Sequence, residues 1–312
     1  MSGILRNKTI LVTGGSGSFG QAFARYALAH GVGRLRLLSR DELKQAEAAQ
    51  HITDTRVRWM IGDVRDYDRV RLAMRGCDLV IHAAAMKRIE KCEYDPLEAI
   101  QTNIGGTTNV VKAAIVERCR IILLSTDKAC NPITHYGVTK AAAEKIVLHA
   151  NVYLGGPPLF TVVRYGNVAN SRGSVIPIWR EAVSRGNALQ VTDIRSTRFW
   201  ITLEEAVQFV VNTAAQPPGK LYVPGFMPSY KIVDLALAIQ GPNGPPFQII
   251  GPRGIEKVHE DLVAEHESAI GPKGPYRSDM NTRWLTVEDL RQGVATCLQQ
   301  SSSSSGPIAR SG

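Results

Sequence analysis

Cysteine is scarce in this chain, and the five present, at 77, 92, 119, 130 and 297, form no Cys-x-x-Cys pair and no metal-ligand spacing. That pattern argues against a disulfide scaffold or a zinc site and fits a cytoplasmic protein with reduced thiols. No apolar run approaches the roughly 18 residues of a membrane-spanning helix. The opening stretch MSGILRNKTILVTGG carries no signal-peptide cleavage pattern. Nor is there a run of five or more lysines and arginines, although the formal net charge is +9. A nucleic-acid binder concentrates its charge. Here it is dispersed, which suits a basic surface with arginines reserved for phosphorylated small molecules. Internal repeats are absent as well. Nucleic acid and membrane are therefore not expected as partners.

What is there is ordinary globular material: 312 residues, 44% hydrophobic and 21% charged, enough for one large domain with a substantial lobe. Apolar strand candidates at Ile10–Thr13, Arg34–Leu38, Val57–Ile61, Leu79–His82, Ile121–Ser125 and Phe160–Arg164 alternate with helical stretches. Those include Gln21–His30, Asp41–Gln50, Arg69–Met74, Pro96–Glu117 and Tyr136–Ala150. Such alternation predicts an α/β fold, a Rossmann-type doubly wound parallel sheet with ligands at the carboxyl ends of its strands. Beyond it, glycine and proline become dense and the elements short. The expected division is a dinucleotide-binding domain over 1–165, with later segments returning to it, and an interleaved substrate-binding lobe over 166–285. A C-terminal helix and tail follow over 286–312, and Gln299–Gly312 is expected to be disordered.

The first strand runs into GGSGSFG, where Gly14, Gly17 and Gly20 open directly into a helix. Glycines permit a tight turn, close backbone approach to a pyrophosphate and close helix–strand packing, and the helix N-terminus favours the anion. A Rossmann unit that binds NAD typically carries an acid after its second strand. This chain has Ser39 and Arg40 there, with Lys44 one turn on, a set that fits a 2′-phosphate and so NADP. Asp41 is read as the start of the next helix. Asp63, at the third strand end beside Val64, can bond the adenine amino group or serve as a turn residue.

Tyr136 and Lys140 lie four apart and share one helix face, where an ammonium can stabilise a tyrosinate and hold a cofactor ribose. With an ordinary pKa of about 10, a tyrosine is a poor base at neutral pH unless a nearby cation favours its anion. Just upstream, Thr126, Asp127 and Lys128 set a hydroxyl, a carboxylate and an amine in consecutive positions. That group suits removal of an alcohol proton, then a carbon-acid proton, with protonation of a leaving group. Side chains adjacent in sequence rarely face each other, so an Asp127–Lys128 ion pair is the less expected arrangement. Cys130 and His135 match no mechanistic role and are read as loop residues.

Seven segments carry a resemblance: TGGSGSFG (13–20), SRDELKQ (39–45), GDVRD (62–66), HAAAMKRIEKCEYDPLEAIQTNIGGTTNV (82–110), STDKACNPITHYGVTK (125–140), VRYGNVANSRGSVIP (163–177) and TDIRSTRFWIT (192–202). Together they resemble the extended short-chain dehydrogenase/reductases and, more narrowly, the inverting UDP-N-acetylglucosamine 4,6-dehydratases of the polysaccharide-biosynthesis group. The match is spread over roughly residues 8–265. It implies contacts to NADP from Ser16, Gly17, Ser18 and Phe19, from Ser39 to Lys44, and from Asp63 and Val64. Ala83, Ala84, Tyr136, Lys140 and Val168 would complete the cofactor site. A UDP-sugar would be lined by Lys87, Asn167, Arg172, Thr197, Arg253 and Glu256, and a homo-oligomer is expected. In place of the family's usual Arg-Pro-Gly-Glu-Lys the chain has Arg253–Gly254–Ile255–Glu256–Lys257.

The chemistry expected on this resemblance begins with Tyr136 taking the proton of the sugar's 4-hydroxyl, oriented by Thr126, as C4 is oxidised. Lys128, as a neutral amine, takes the C5 proton, and Asp127 protonates the departing 6-hydroxyl. Asn167, Arg172, Arg195 and Arg198 offer donors for a pyrophosphate, with a solvated turn as the alternative for Arg195 and Arg198. Related dehydratases that retain configuration carry Thr-Asp-Glu, so Lys128 is the residue that says inverting. Two rivals stay open. A 4-epimerase uses the same Tyr136/Lys140 pair but has no need of Asp127–Lys128. A non-catalytic NADP-sensing protein keeps the glycine turn but characteristically loses the tyrosine and lysine.

Overall fold

The structure, a computed structural model, describes residues 2–303 except 172, 226, 243, 253 and 275. The aliphatic runs form strands because each can bury both of its faces, and a parallel sheet with helices on either side is the arrangement that does so. The strands are β1 (Thr9–Thr13), β2 (Arg34–Ser39), β3 (Val57–Ile61), β4 (Leu79–His82), β5 (Arg120–Thr126) and β6 (Phe160–Tyr165). With the short strand Leu221–Tyr222 they make one seven-stranded sheet in the order 221–222, β6, β5, β4, β1, β2, β3. Every pairing in it is parallel. The order reverses between β1 and β4, the topological switch point at which such sheets bind ligands.

The covering helices are α1 (Ser18–Ala29), α2 (Glu42–Ala49), α3 (Tyr67–Met74), α4 (Ile89–Tyr94), α5 (Pro96–Ala99), α6 (Gly106–Glu117) and α7 (His135–His149). Their starts follow local chemistry. Asp41, Asp66 and Thr134 cap α2, α3 and α7 by accepting from backbone N–H groups. Pro96–Glu117 is not the single α-helix expected: a π-helical turn over Ile100–Gly105 separates α5 from α6. Within that stretch Thr107 and Thr108 hydroxyls donate to the Asn103 and Ile104 carbonyls, which supports a locally widened ladder.

Four further helices follow: α8 (Val175–Ser184), α9 (Leu203–Ala214), α10 (Ile232–Gln240) and α11 (Val287–Ser303). A second apolar cluster joins Ile176, Trp179, Leu189, Trp200, Leu235 and Leu290. The chain nevertheless returns to the first core, where Val207, Val210, Leu262 and Val263 are buried beside the sheet. Gln299–Ser303, expected to be disordered, continue α11, while the rest of that tail, 304–312, lies outside the described residues.

One buried cation fastens this return. Arg164 of β6 is 1% exposed, yet its guanidinium donates to Glu144 of α7 (2.6 and 3.0 Å), to Glu267 (2.7 and 2.9 Å) and to the Leu262 carbonyl (2.8 Å). The same guanidinium holds the Glu267 carboxyl down to about 2 against the effect of burial. Arg164→Met is expected to destabilise the protein by about 3–5 kcal/mol, because it strands two carboxylates without their cation. Urea unfolding of the variant beside the parent measures this, and a loss below about 1 kcal/mol, the level of an exposed pair, would contradict it.

Candidate active site

The glycine turn connects β1 to α1 at the switch point. Gly14 sits at φ +72°, and a Cβ there would lie 3.0 Å from Ala84 N and 3.1 Å from the Ala83 carbonyl carbon, so the turn and the end of β4 touch backbone to backbone. Gly20 packs as closely on Gly15, a glycine outside the Gly14/Gly17/Gly20 pattern, where a Cβ would meet Leu37 at 2.7 Å. Gly17 is the N-cap of α1 and provides no side-chain cap, which leaves the first N–H groups of the helix for an anion. Ser16 is buried; Ser18 and Phe19 are half-buried in the first turn.

At the end of β2, Ser39 Oγ accepts from Gln45 Nε2 (2.8 Å). Asp41 is spent locally: it caps α2 through Lys44 N (3.0 Å) and pairs with Lys44 Nζ (2.6 Å). Arg40 is exposed, 3.8 Å from Asp63. Asp63 itself turns back on Arg65, accepting from its N (3.0 Å) and its guanidinium (2.8 Å), and Val64 beside it is buried.

Between these strand ends runs a polar chain for which the sequence offers no local signal. The Thr107 hydroxyl donates to Asn103 O (2.6 Å), so Thr107 Oγ1 accepts from His82 Nε2–H (3.0 Å). His82 Nδ1 then accepts from the Thr13 hydroxyl (2.7 Å), which in turn accepts from Ala84 N (3.2 Å). The Asn103 side chain accepts from Met86 N (2.8 Å) and donates to Met86 O and Thr139 Oγ1 (both 3.0 Å). Thr139 donates to Tyr136 O (2.8 Å). One hydrogen-bonded line thus joins β1, the 83–86 loop and the turn of α7 that bears Tyr136. Burial, helped by the Lys140 charge, pushes the His82 imidazolium down to about 3, so it is neutral here.

The 125–140 segment gathers its functional groups on one side. Gly137 is required there, since a Cβ would fall 2.3 Å from Lys128 O. The Thr126 hydroxyl donates to Asp127 Oδ1 (2.8 Å), and Thr126 also acts on the nearby Tyr136 phenol to favour its anion. Contrary to expectation, Asp127 and Lys128 do face each other: Lys128 Nζ is 2.9 Å from Asp127 Oδ1. The tight turn Asp127–Ala129 at the end of β5 folds the two side chains to the same side. Lys128 Nζ also donates to Asn167 Oδ1 (3.0 Å) and lies 3.3 Å from Glu260 Oε1. Asp127 Oδ2 and Glu260 Oε2 are buried with no partner among the described residues.

Burial raises the proton affinity of the Asp127 carboxyl, while the Asp127 and Glu260 charges outweigh burial and raise that of Lys128. Lys128 is therefore an ammonium at rest, not the neutral amine the chemistry asks for. Burial pushes the Tyr136 phenol up to about 12, opposed chiefly by the Lys128 charge. Lys140, expected to supply that charge, instead donates to the Leu124 carbonyl (2.7 Å), and burial brings it down to about 8. Cys130 is a loop residue, as expected, buried against Glu267 (3.3 Å), whereas His135 begins α7, with its ring on Pro96 O (3.1 Å).

Arg198 reaches the same cluster, 3.6 Å from Glu260 Oε1, whereas Arg195 sits on an exposed turn paired with Asp193 (2.6 Å). Thr197 is buried between His259 (2.9 Å) and Ser278 (2.7 Å). Glu256 accepts from Thr192 (2.7 Å). Val168 lies beside Asn167 in a short strand and Lys87 is exposed after the 83–86 loop. Arg172 and Arg253 lie outside the described residues. Glu260 is the residue that sequence reasoning missed, because its partner Lys128 is remote in the chain.

A family model described as polysaccharide biosynthesis protein matches residues 10–275. The chain belongs to that family. It is 44% identical to the UDP-N-acetylglucosamine 4,6-dehydratase (inverting) of Campylobacter jejuni, with 92% of this chain and 97% of that protein covered. The UDP-glucose 4-epimerase of Rickettsia akari is 39% identical over 89% of this chain and 85% of its own. The X-ray structure of Pen from Bacillus thuringiensis superposes with a TM-score of 0.86 at 32% identity, covering 94% of this chain and 98% of that one. The doubly wound fold of the family is thus the one this sequence adopts.

The neutral His82 makes a testable demand on stability. Its folded value of about 3 lies below the unfolded 6.5, so between those values the unfolded chain binds the extra proton and stability falls as pH falls. From pH 7.5 to pH 5 this one group is expected to remove about 2 kcal/mol. His82→Gln should flatten that part of the profile in urea titrations, and an unchanged slope would show that His82 is protonated in the fold.

Proposed function

We propose that this chain is an NADP-dependent, C5-inverting UDP-N-acetylglucosamine 4,6-dehydratase, acting in the cytoplasm as a homo-oligomer. The observation that carries the reading is the Asp127–Lys128 ion pair set beside Thr126 and Tyr136, at the end of β5 in a dinucleotide fold. An epimerase needs only the tyrosine and its cation. A buried acid and amine in contact with each other serve the loss of water.

The residues present fit NADP. Gly17 starts α1 without a side-chain cap, which suits a pyrophosphate at that helix N-terminus, and a Cβ at Gly14 would close the cradle against Ala83 and Ala84. Just after β2, Asp41 is occupied by its cap and by Lys44, leaving Arg40 exposed toward a 2′-phosphate. Bound there, NADP supplies a hydride acceptor for C4 and a donor for C6. Residues 1–165 are proposed to hold it, and 166–285, with Asn167, Thr197, Arg198 and Glu256, to face the sugar nucleotide along with Lys87. Arg172 and Arg253 are proposed for the same side on the resemblance alone.

Tyr136 takes the 4-hydroxyl proton, its anion favoured by the Lys128 ammonium, and Thr126 orients that hydroxyl. The resulting ketone acidifies C5. Lys128 takes the C5 proton and Asp127, through its unpartnered oxygen, protonates the 6-hydroxyl as it leaves. Return of a solvent-derived proton to C5 from the opposite face gives inversion. Tyr136→Phe is expected to lose on the order of 10²–10⁴-fold in turnover while still binding cofactor.

An NMR time course with UDP-N-acetylglucosamine should show a new 6-methyl group and, in deuterated water, deuterium at an inverted C5. A 4-epimer as the only product would transfer the assignment to the activity named for the Rickettsia relative. Lys128→Ala should abolish loss of water and also slow formation of reduced cofactor seen by absorbance, since it removes the cation that favours the Tyr136 anion. Titration should give tighter binding of NADP than of NAD, a preference that Arg40→Asp removes. Equal affinities in the parent protein would contradict the reading of that strand end.

A further inference from the structure

We propose that Glu260 is a positioning residue that keeps a single exchangeable proton on the Lys128–Asp127 pair, so that moving this proton from Lys128 to Asp127 readies base and acid together. The inference rests on the dehydratase reading. Elimination asks at once for a neutral amine and a protonated carboxyl, whereas Lys128 Nζ and Asp127 Oδ1 lie 2.9 Å apart, an ion-pair distance at which each charge favours the other. One transfer across that contact supplies both: an N–H bond of Lys128 breaks, an O–H bond forms on Asp127, and no proton is taken from water. Lys128 then gains the C5 proton and Asp127 gives its own to the departing hydroxyl as water. The ion pair is thereby restored.

Such a pair works only while it holds one proton, and its surroundings determine over what pH range it does. Lys128 faces Asp127 and, across α7, Tyr136; from the later segments it faces Glu260, Arg198 and Tyr230, with Lys257 acting on Glu260. Glu260 Oε1 lies 3.3 Å from Lys128 Nζ, and the carboxylate's other oxygen is buried without a partner among the described residues. Its negative charge raises the proton affinity of both members of the pair, while Arg198, 3.6 Å from Glu260, limits the effect. Asn167 Oδ1, at 3.0 Å, fixes the amine's direction without adding charge.

The test is the pH profile of kcat/KM for dehydration, read together with ¹⁵N-lysine NMR of the NADP-loaded enzyme, in which Lys128→Met identifies the Lys128 signal. In Glu260→Gln both limbs of the profile and the Lys128 midpoint should move to lower pH, by roughly one unit or more. Glu260→Asp keeps the charge and should leave the limbs near those of the parent even where the rate falls. In the parent enzyme Lys128 should remain an ammonium beyond the ordinary lysine midpoint of about 10.4, a measurement that needs no variant at position 260. Limbs and signal unmoved in Glu260→Gln, or a parent Lys128 that titrates with the surface lysines, would overturn the proposal. A parent enzyme that passes the NMR arm but forms no 6-deoxy product would overturn the dehydratase reading alone.

Discussion

A lysine ammonium held in a largely closed site constrains much of what surrounds it. Removing such a charge from water costs several kcal/mol, and it is tolerated only where acids and acceptors are already in place around it. Lys128 finds them on three separate segments: Asp127 at the end of β5, Asn167 just beyond β6, and Glu260 in the late chain. The site therefore exists only once the late segment has docked. That docking is secured by Leu262 and Val263 in the main core and by Arg164, which ties β6 and α7 to Glu267. The second buried cation, remote from the chemistry, holds in place the acid that the first one requires.

The same low-dielectric surroundings assign the remaining roles. Burial pushes the Tyr136 phenol up to about 12, so its own environment disfavours its anion, while the Lys140 amine, brought down to about 8, stays an ammonium near neutral pH. Lys128 supplies the cation for Tyr136, which couples two steps of the proposed reaction through one nitrogen. As an ammonium it favours the tyrosinate that begins oxidation at C4; as an amine it takes the C5 proton. The polar line from Thr13 through His82 and Asn103 to Tyr136 fixes the geometry between the cofactor turn and this cluster. Because its histidine is neutral, that line adds no competing charge.

The sequence alone determined the features that depend on near neighbours. Strands with both faces buried read as short apolar runs, and β3 and β4 begin and end at the expected residues. The glycine turn, the Asp41 cap and the Tyr136–Lys140 spacing are all set within a few residues, where local sterics and helical periodicity decide the outcome. Adjacency misled at Asp127 and Lys128, because a three-residue turn, rather than an extended strand, sets the direction of their side chains. Tertiary structure alone decided which groups share a charge: it brought Glu260 to Lys128, gave Lys140 to the Leu124 carbonyl, and left Arg195 on the surface while half-burying Arg198 beside Glu260. Protonation follows burial and partners, and both come from parts of the chain that local pattern cannot connect.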